Sequence, residues 1–248
     1  GRGVRLPEGR RLPAWHPRRR QDAGVLSLHR ARSGRGGLSS LPPLALQVPL
    51  LLVLQLWPGL PAAWRFERAS FEQGAWWQLL SAQWVHLSLP HALANAAALL
   101  LIAWLLRPWL STAIQCGLLA GAVAGVAAVI ALDPGCAYYA GFSGALHGWF
   151  GGAAVWLAGR RSSPGLAALR PISAAPDETA DTGPPPAWPW IMLALLVLKV
   201  GLESAGLLPS AWSFMVYWPS HAAGLAGGLL AACLMRAGAR LMPPARSA

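Results

Sequence analysis

The chain has 248 residues, of which 55% are hydrophobic and only 12% charged, about half the charged share of an ordinary soluble domain. With 14 tryptophans and a positive mean hydropathy, it cannot be a disordered chain, a coiled coil or a small disulfide scaffold, and it fits a polytopic membrane protein better than a soluble enzyme. The net charge of +11 does not point to nucleic acid: ten of the 20 basic residues lie in the first 35 positions, most others flank apolar runs, and no basic stripe is interleaved with aromatics.

Residues 1–40 are rich in Arg, Gly, Pro and Ser, lack an apolar period, and read as a disordered basic tail. A signal peptide is not expected, because the first apolar run begins near Leu41 and no small-x-small cleavage site follows it. Six continuous apolar runs come next, at 43–63, 88–106, 112–132, 142–159, 188–207 and 219–236. A helix needs ~20 residues to cross the hydrocarbon, and continuous rather than alternating apolarity excludes a β-barrel. The predicted fold class is therefore an all-α polytopic membrane protein, a six-transmembrane-helix bundle over 41–238, with a short tail at 239–248.

Two connections are long. Residues 64–87 form an outer loop whose stretch from Phe71 to Leu80 is Trp-rich and amphipathic, which suits a segment lying in the interface with Trp76 and Trp77 at headgroup depth. Residues 160–187, with Pro184, Pro185 and Pro186, read as a flexible inner loop. Seventeen of the Arg residues fall on the side of the N-terminal tail, against Arg65 and Arg68 on the other, which predicts that both termini are cytoplasmic. Of the three cysteines only Cys136 then faces outward, so no intramolecular disulfide is expected, and no CxxC or Cys/His spacing suggests a metal.

Glycines recur at a spacing of four in three runs: Gly117, Gly121 and Gly125; Gly144, Gly148 and Gly152; Gly224 and Gly228. That spacing puts each set on one helix face and lets backbones approach closely, and the fourth run, with Gly on more than one face, should be central. Polar residues cluster too. Runs two, four and six all travel from outside to inside, and each begins with polar groups: His91 and Asn95, Ser143, and His221. A rise of 1.5 Å per residue puts them at a similar shallow depth. Ser143 begins a helix between glycines, near the positive end of the helix dipole, and needs a base to become a nucleophile; His221 is the candidate. His91 and Asn95, at i and i+4, offer hydrogen bonds to a developing oxyanion or simply staple helices. His86 supports the loop. His147, one turn below Ser143, packs beneath His221 or relays a proton. Lys199 and Glu203, also at i and i+4, are expected to neutralise each other within the fifth run, with a role in substrate handling or gating left open.

These residues resemble the rhomboid intramembrane serine proteases over about 43–236. Gly141-Phe142-Ser143-Gly144 is similar to that family's GxSG motif, His91-x-x-x-Asn95 to its HxxxN motif, and His221-Ala-Ala-Gly224-x-x-x-Gly228 to its HxxGxxxG motif. Trp77 to His86 looks like the first-loop W-R…H segment, with Gln78 where the family has Arg. Ser220 stands where Ala is frequent, and His147 where an aromatic is frequent. Ser143-Gly-Ala-Leu-His147-Gly looks like the rhombosortase subfamily, which is implied to cleave bacterial proteins bearing a C-terminal Gly-Gly sorting tail.

The resemblance implies a serine endopeptidase of the bacterial inner membrane in which Ser143 attacks and His221 takes the proton. His91, Asn95 and the Ser143 N–H would hold the oxyanion, with Gly141, Gly144 and His147 in support. No Asp is placed to orient His221, so a Ser–His dyad is expected. The implied partners are a membrane-anchored protein substrate and the bilayer, with no nucleic acid, no cofactor and no metal; the oligomeric state is open. Two other classes compete: a non-catalytic rhomboid-like client binder, disfavoured because Ser and His are both present, and a small transporter, disfavoured because no inverted repeat is visible. Absence of HExxH and of paired membrane aspartates excludes metal and aspartyl intramembrane proteases.

Overall fold

The computed structural model describes residues 43–160, 185–208 and 212–241, so both tails and most of the expected inner loop lie outside the described residues. All six apolar runs fold as helices. The first gives a 3-10 turn over Pro43–Leu46, then α1 (Gln47–Leu56), then a break and the short α2 (Leu60–Trp64). This run was expected to be one helix to 63. Pro58-Gly59 stops it: Pro cannot supply the next backbone N–H, and Gly59 takes a φ of 75°.

The loop expected on the outer side carries a two-residue strand β1 (Phe66–Glu67) and the short helices α3 (Arg68–Glu72) and α4 (Gln78–Ser81). The remaining runs are α5 (Leu89–Leu106), α6 (Thr112–Leu132), α7 (Ser143–Arg160), α8 (Trp188–Ser204) and α9 (Trp218–Leu241), with the two-residue β2 (Tyr138–Tyr139) between α6 and α7. Ser88 caps α5 by accepting the His91 N–H at 3.3 Å, and Ser111 caps α6 by accepting the Ile114 N–H at 3.4 Å. Among the described residues three helices, α5, α6 and α9 (counted as Trp218–Ala239), are long and apolar enough to cross a membrane. The 18 residues of α7 include five glycines and His147, and α8 has only 17 residues.

The fourth run is central, as its glycines predict: α7 packs against α5, α6, α8 and α9. A Cβ on Gly148 would fall on the Gly224 carbonyl and one on Gly228 on the Gly148 carbonyl, so α7 and α9 touch backbone to backbone. The core beside this seam holds Leu99, Leu106, Leu118, Phe142 and Trp149, all with no exposed surface. Outward, Leu93, Leu101 and Trp104 of α5, Leu195 and Leu198 of α8, and Leu230 and Leu234 of α9 are exposed. Such an apolar exterior is stable only where lipid replaces water.

The outer loop is fastened to this bundle. β1 pairs antiparallel with β2, Phe66 opposite Tyr139. The Arg68 guanidinium donates to the carbonyls of Ile130 (2.5 Å), Asp133 (2.6 Å), Ala131 (3.0 Å) and Cys136 (3.4 Å). Those at the end of α6 are carbonyls a helix leaves unpaired, at the negative end of its dipole. Phe66 and Phe71 lie under the same guanidinium, centroids 4.9 and 5.5 Å away. Gln78, standing where the family has Arg, is buried and accepts the Glu67 N–H at 3.1 Å. Gln83 donates to the carbonyls of Leu79 (3.0 Å) and Val123 (3.1 Å). Trp76 and Trp77 are exposed, as an interfacial segment requires. Cys136 faces this loop but is 1% exposed, beneath Phe66 and Tyr139, so the expected outward-facing thiol is shielded.

Candidate active site

Ser143 is the first residue of α7, and the turn that delivers it is held from three sides. Gly141 has a φ of 140°, a conformation L side chains rarely adopt, and a Cβ there would lie 2.8 Å from His91 Cε1. Its N–H donates to the Ala82 carbonyl at 2.9 Å and its carbonyl accepts the Tyr139 hydroxyl at 2.8 Å. Phe142 N–H donates to His86 Nε2 at 3.4 Å, so the loop histidine of the Trp77–His86 segment supports the serine turn. Burial, aided by nearby His91, holds the His86 pKa down at about 3 and keeps the ring neutral, the form that can accept.

His221, in the first turn of α9, lies across from this turn. Ser143 Oγ is 2.8 Å from His221 Nε2. The rings of His147 and His221 stack, centroids 4.2 Å apart and planes 16° from parallel, and His147 Nδ1 donates to the Ser143 carbonyl at 2.7 Å. His147 thus packs beneath His221. Gly144, next to Ser143, has no room for a Cβ: it would sit 2.7 Å from the carbonyl of Ser220, the neighbour of His221.

Sequence reasoning missed one contact. Lys199 and Glu203 do pair, Nζ to Oε1 at 2.5 Å. The second carboxylate oxygen, Oε2, lies 2.7 Å from His221 Nδ1. An acidic group does reach the histidine, from a glutamate on α8. Its place near the C-terminal end of the fifth run, the end expected to share the level of Ser143 and His221, was the available signal.

Ser143, His147, His221, His91, Asn95, Lys199 and Glu203 all line one cavity of about 800 Å³. Asn95 donates one amide hydrogen to the His91 carbonyl at 3.0 Å, an i to i−4 bond. Trp212 and Phe214 each lie 5.2 Å from the His91 ring, centroid to centroid. Tyr217, just before α9, donates its hydroxyl to Asp133 Oδ2 at 2.5 Å, tying the start of α9 to the end of α6. Burial, then the Asp133 carboxylate, push the Tyr217 phenol up, while the Tyr217 hydroxyl and then the Gly135 N–H hold Asp133 down.

His147, Glu203 and His221 each offer a ligand atom within 4.8 Å of the others, a spacing that could hold a metal ion. His221 and Glu203 already engage both their ligating atoms with Ser143, Lys199 and each other, and His147 engages Nδ1 with the Ser143 carbonyl. The geometry thus provides an alcohol hydrogen-bonded to an imidazole, in a cavity walled by further hydrogen-bonding groups.

A comparison with curated proteins finds no match. Residues 73–238 match the family described as Rhomboid domain, from the turn before α4 into the last turn of α9. That match covers two thirds of the chain and contains every site residue named above. The chain belongs to the rhomboid family, whose members are generally intramembrane serine proteases.

Proposed function

We propose that this protein is an intramembrane serine endopeptidase that hydrolyses a peptide bond near the outer membrane face, in the C-terminal Gly-Gly sorting tail of exported proteins, as rhombosortases do. The observation that carries the chemistry is the 2.8 Å hydrogen bond between Ser143 Oγ and His221 Nε2. Ser143 attacks the scissile carbonyl as its proton passes to His221. The oxyanion is held by the Ser143 N–H, His91 and Asn95, whose amide has a second hydrogen free of the bond to His91. Gly141 and Gly144 keep the serine uncrowded and His147 backs the imidazole. His221 then protonates the leaving amine, and water clears the acyl-enzyme.

The substrate follows from backbone chemistry. A helix hides its carbonyls in i to i−4 bonds, and a protease needs them exposed in an extended strand. Each Gly weakens a helix by ~1 kcal/mol relative to Ala, so a Gly-Gly junction at the outer end of a client's anchor unwinds readily. His147, where the family more often has another aromatic, supports the rhombosortase-like reading. The arginine distribution supports a bacterial inner-membrane, multi-pass placement with both termini cytoplasmic.

The test is co-expression with a client carrying a soluble outer domain, a Gly-Gly junction, one C-terminal helix and a basic end. Wild type should cleave it, whereas Ser143→Ala and His221→Ala should insert but not cleave. Equal processing of the Gly-Gly→Leu-Leu client, or cleavage of other rhomboid substrates alone, rejects the sorting role in favour of a general rhomboid protease. Binding without any cleavage leaves the non-catalytic reading.

A further inference from the structure

We infer that Glu203 is a positioning residue that completes a Ser143–His221–Glu203 triad, with Lys199 assigning one carboxylate oxygen to each neighbour. The inference rests on the protease reading above. A neutral imidazole can accept the serine proton at Nε2 only if its own proton is on Nδ1. An ionised carboxylate accepts and never donates, so Oε2, 2.7 Å from Nδ1, fixes that tautomer. The side chains of His221 and Glu203 are 5% and 13% exposed. An imidazolium formed there is poorly hydrated, and an adjacent carboxylate offsets its charge.

Lys199 gives the carboxylate its orientation. It occupies Oε1 at 2.5 Å, leaving Oε2 to His221. Close packing does not impose this contact. The buried residues of α8 are Pro189 and Met192, at the opposite end of the helix from Glu203. The face of His221 is held separately by the His147 ring.

The step balances without a co-reactant. The Ser143 O–H bond breaks as Oγ bonds the carbonyl carbon, the carbonyl electron pair moves to its oxygen, and the proton goes to Nε2. The Nδ1 proton stays on His221 and Glu203 remains ionised throughout. When the C–N bond breaks, the Nε2 proton leaves with the amine.

Lys199 also makes the test specific. In Glu203→Gln the ammonium, a donor only, claims the amide oxygen and turns the amide NH₂ toward Nδ1. His221 must then accept at Nδ1 and carry its proton on Nε2, where it cannot take one from Ser143. In Lys199→Met/Glu203→Gln the amide is free to flip and restore the productive tautomer.

The assay is the rate at which a fluorophosphonate labels Ser143 in the full chain in detergent, with Ser143→Ala as blank and thermal melting as the fold check. If wild type labels no faster than the blank, the protease reading itself fails. If it labels, Glu203→Gln should lower the maximal rate by about 10²- to 10⁴-fold, the upper end being the loss known for a mis-set tautomer in serine proteases. Half-saturation should hardly move. Glu203→Asp should fall between the two, and Lys199→Met/Glu203→Gln should label at least tenfold faster than Glu203→Gln. Labelling by folded Glu203→Gln at the wild-type rate, or no gain in the double variant, overturns the inference. Should Glu203→Gln not fold, Lys199→Met/Glu203→Met, which removes both charges together, decides instead: about a hundredfold loss supports the role and an unchanged rate refutes it.

Discussion

His86 links the outer loop to the serine turn, and its protonation should undo that link. Only a neutral imidazole presents Nε2 as an acceptor to the Phe142 N–H, one residue before Ser143. The ring is 2% exposed and its pKa is depressed to about 3, against ~6.5 in an unfolded chain. The unfolded state therefore binds the extra proton across this window, and stability falls as pH drops below the unfolded pKa. Linkage between these two values puts the loss at about 2 kcal/mol on going from pH 7 to pH 5, with little change above pH 7. Reversible unfolding in mixed micelles of increasing SDS content, followed at several pH values, measures it. His86→Gln keeps a carbonyl acceptor and cannot titrate, so its stability should fall by about 2 kcal/mol less than wild type over the same interval. Parallel curves for the two proteins would refute the assignment of the acceptor role to a neutral His86.

Arg68→Ala should destabilise the outer loop by about 2–4 kcal/mol, since its four carbonyl partners lose a charged donor; Arg68→Lys, a point charge without the planar fork, should recover less than half, by the same unfolding assay. Gly148→Ala puts a methyl onto the Gly224 carbonyl and should cost about 1–3 kcal/mol; unchanged stability would mean that the helices are not in backbone contact there. His91→Ala and Asn95→Ala should each slow turnover by about 10- to 1,000-fold, the range for one lost oxyanion donor, and an unfolded Asn95→Ala whose folded fraction is fully active would make the pair a staple only. Tyr138→Cys, at a residue 46% exposed, should react with an impermeant thiol reagent from outside while native Cys136 stays protected, and labelling from the cytoplasmic side alone would invert the proposed orientation.

The helices and the Ser143–His221 pair were legible because each depends on local pattern: unbroken apolarity, and polar residues at one end of three helices running the same way. What stayed hidden depended on which way a side chain turns between elements. Lys199 and Glu203 satisfy each other at i and i+4, so nothing in their spacing required Glu203 to look across to α9. Gln78 at the position of the family's Arg signals that the loop is anchored differently, but not from where; Arg68, ten residues earlier, carries the guanidinium to the end of α6. Pro58-Gly59 is a turn signal, but apolar residues flank it on both sides and mask the break. Burial of Cys136 comes from a loop folding over it, which no local period encodes.

The reactive distance is set by residues that have no chemistry. Ser143 precedes Gly144, and His221 follows Ser220; the absent side chain of Gly144 is what lets α7 approach the Ser220 carbonyl. One turn further in, Gly148 and Gly224 repeat the approach, and Gly152 and Gly228 repeat it again. The three meetings fix both the separation and the register of α7 against α9. A register one residue along would shift the histidine position by about 1.5 Å and turn it by about 100° around the axis of α9, off the face on which His221 now meets Ser143 at 2.8 Å. His147, on the same face as Ser143, meets the His221 ring under the same register, so its stacking and the Ser–His bond are consequences of one seam. A spacing of four glycines, which by itself signals only that two helices pack tightly, thereby becomes the ruler that holds an alcohol and an imidazole at bonding distance.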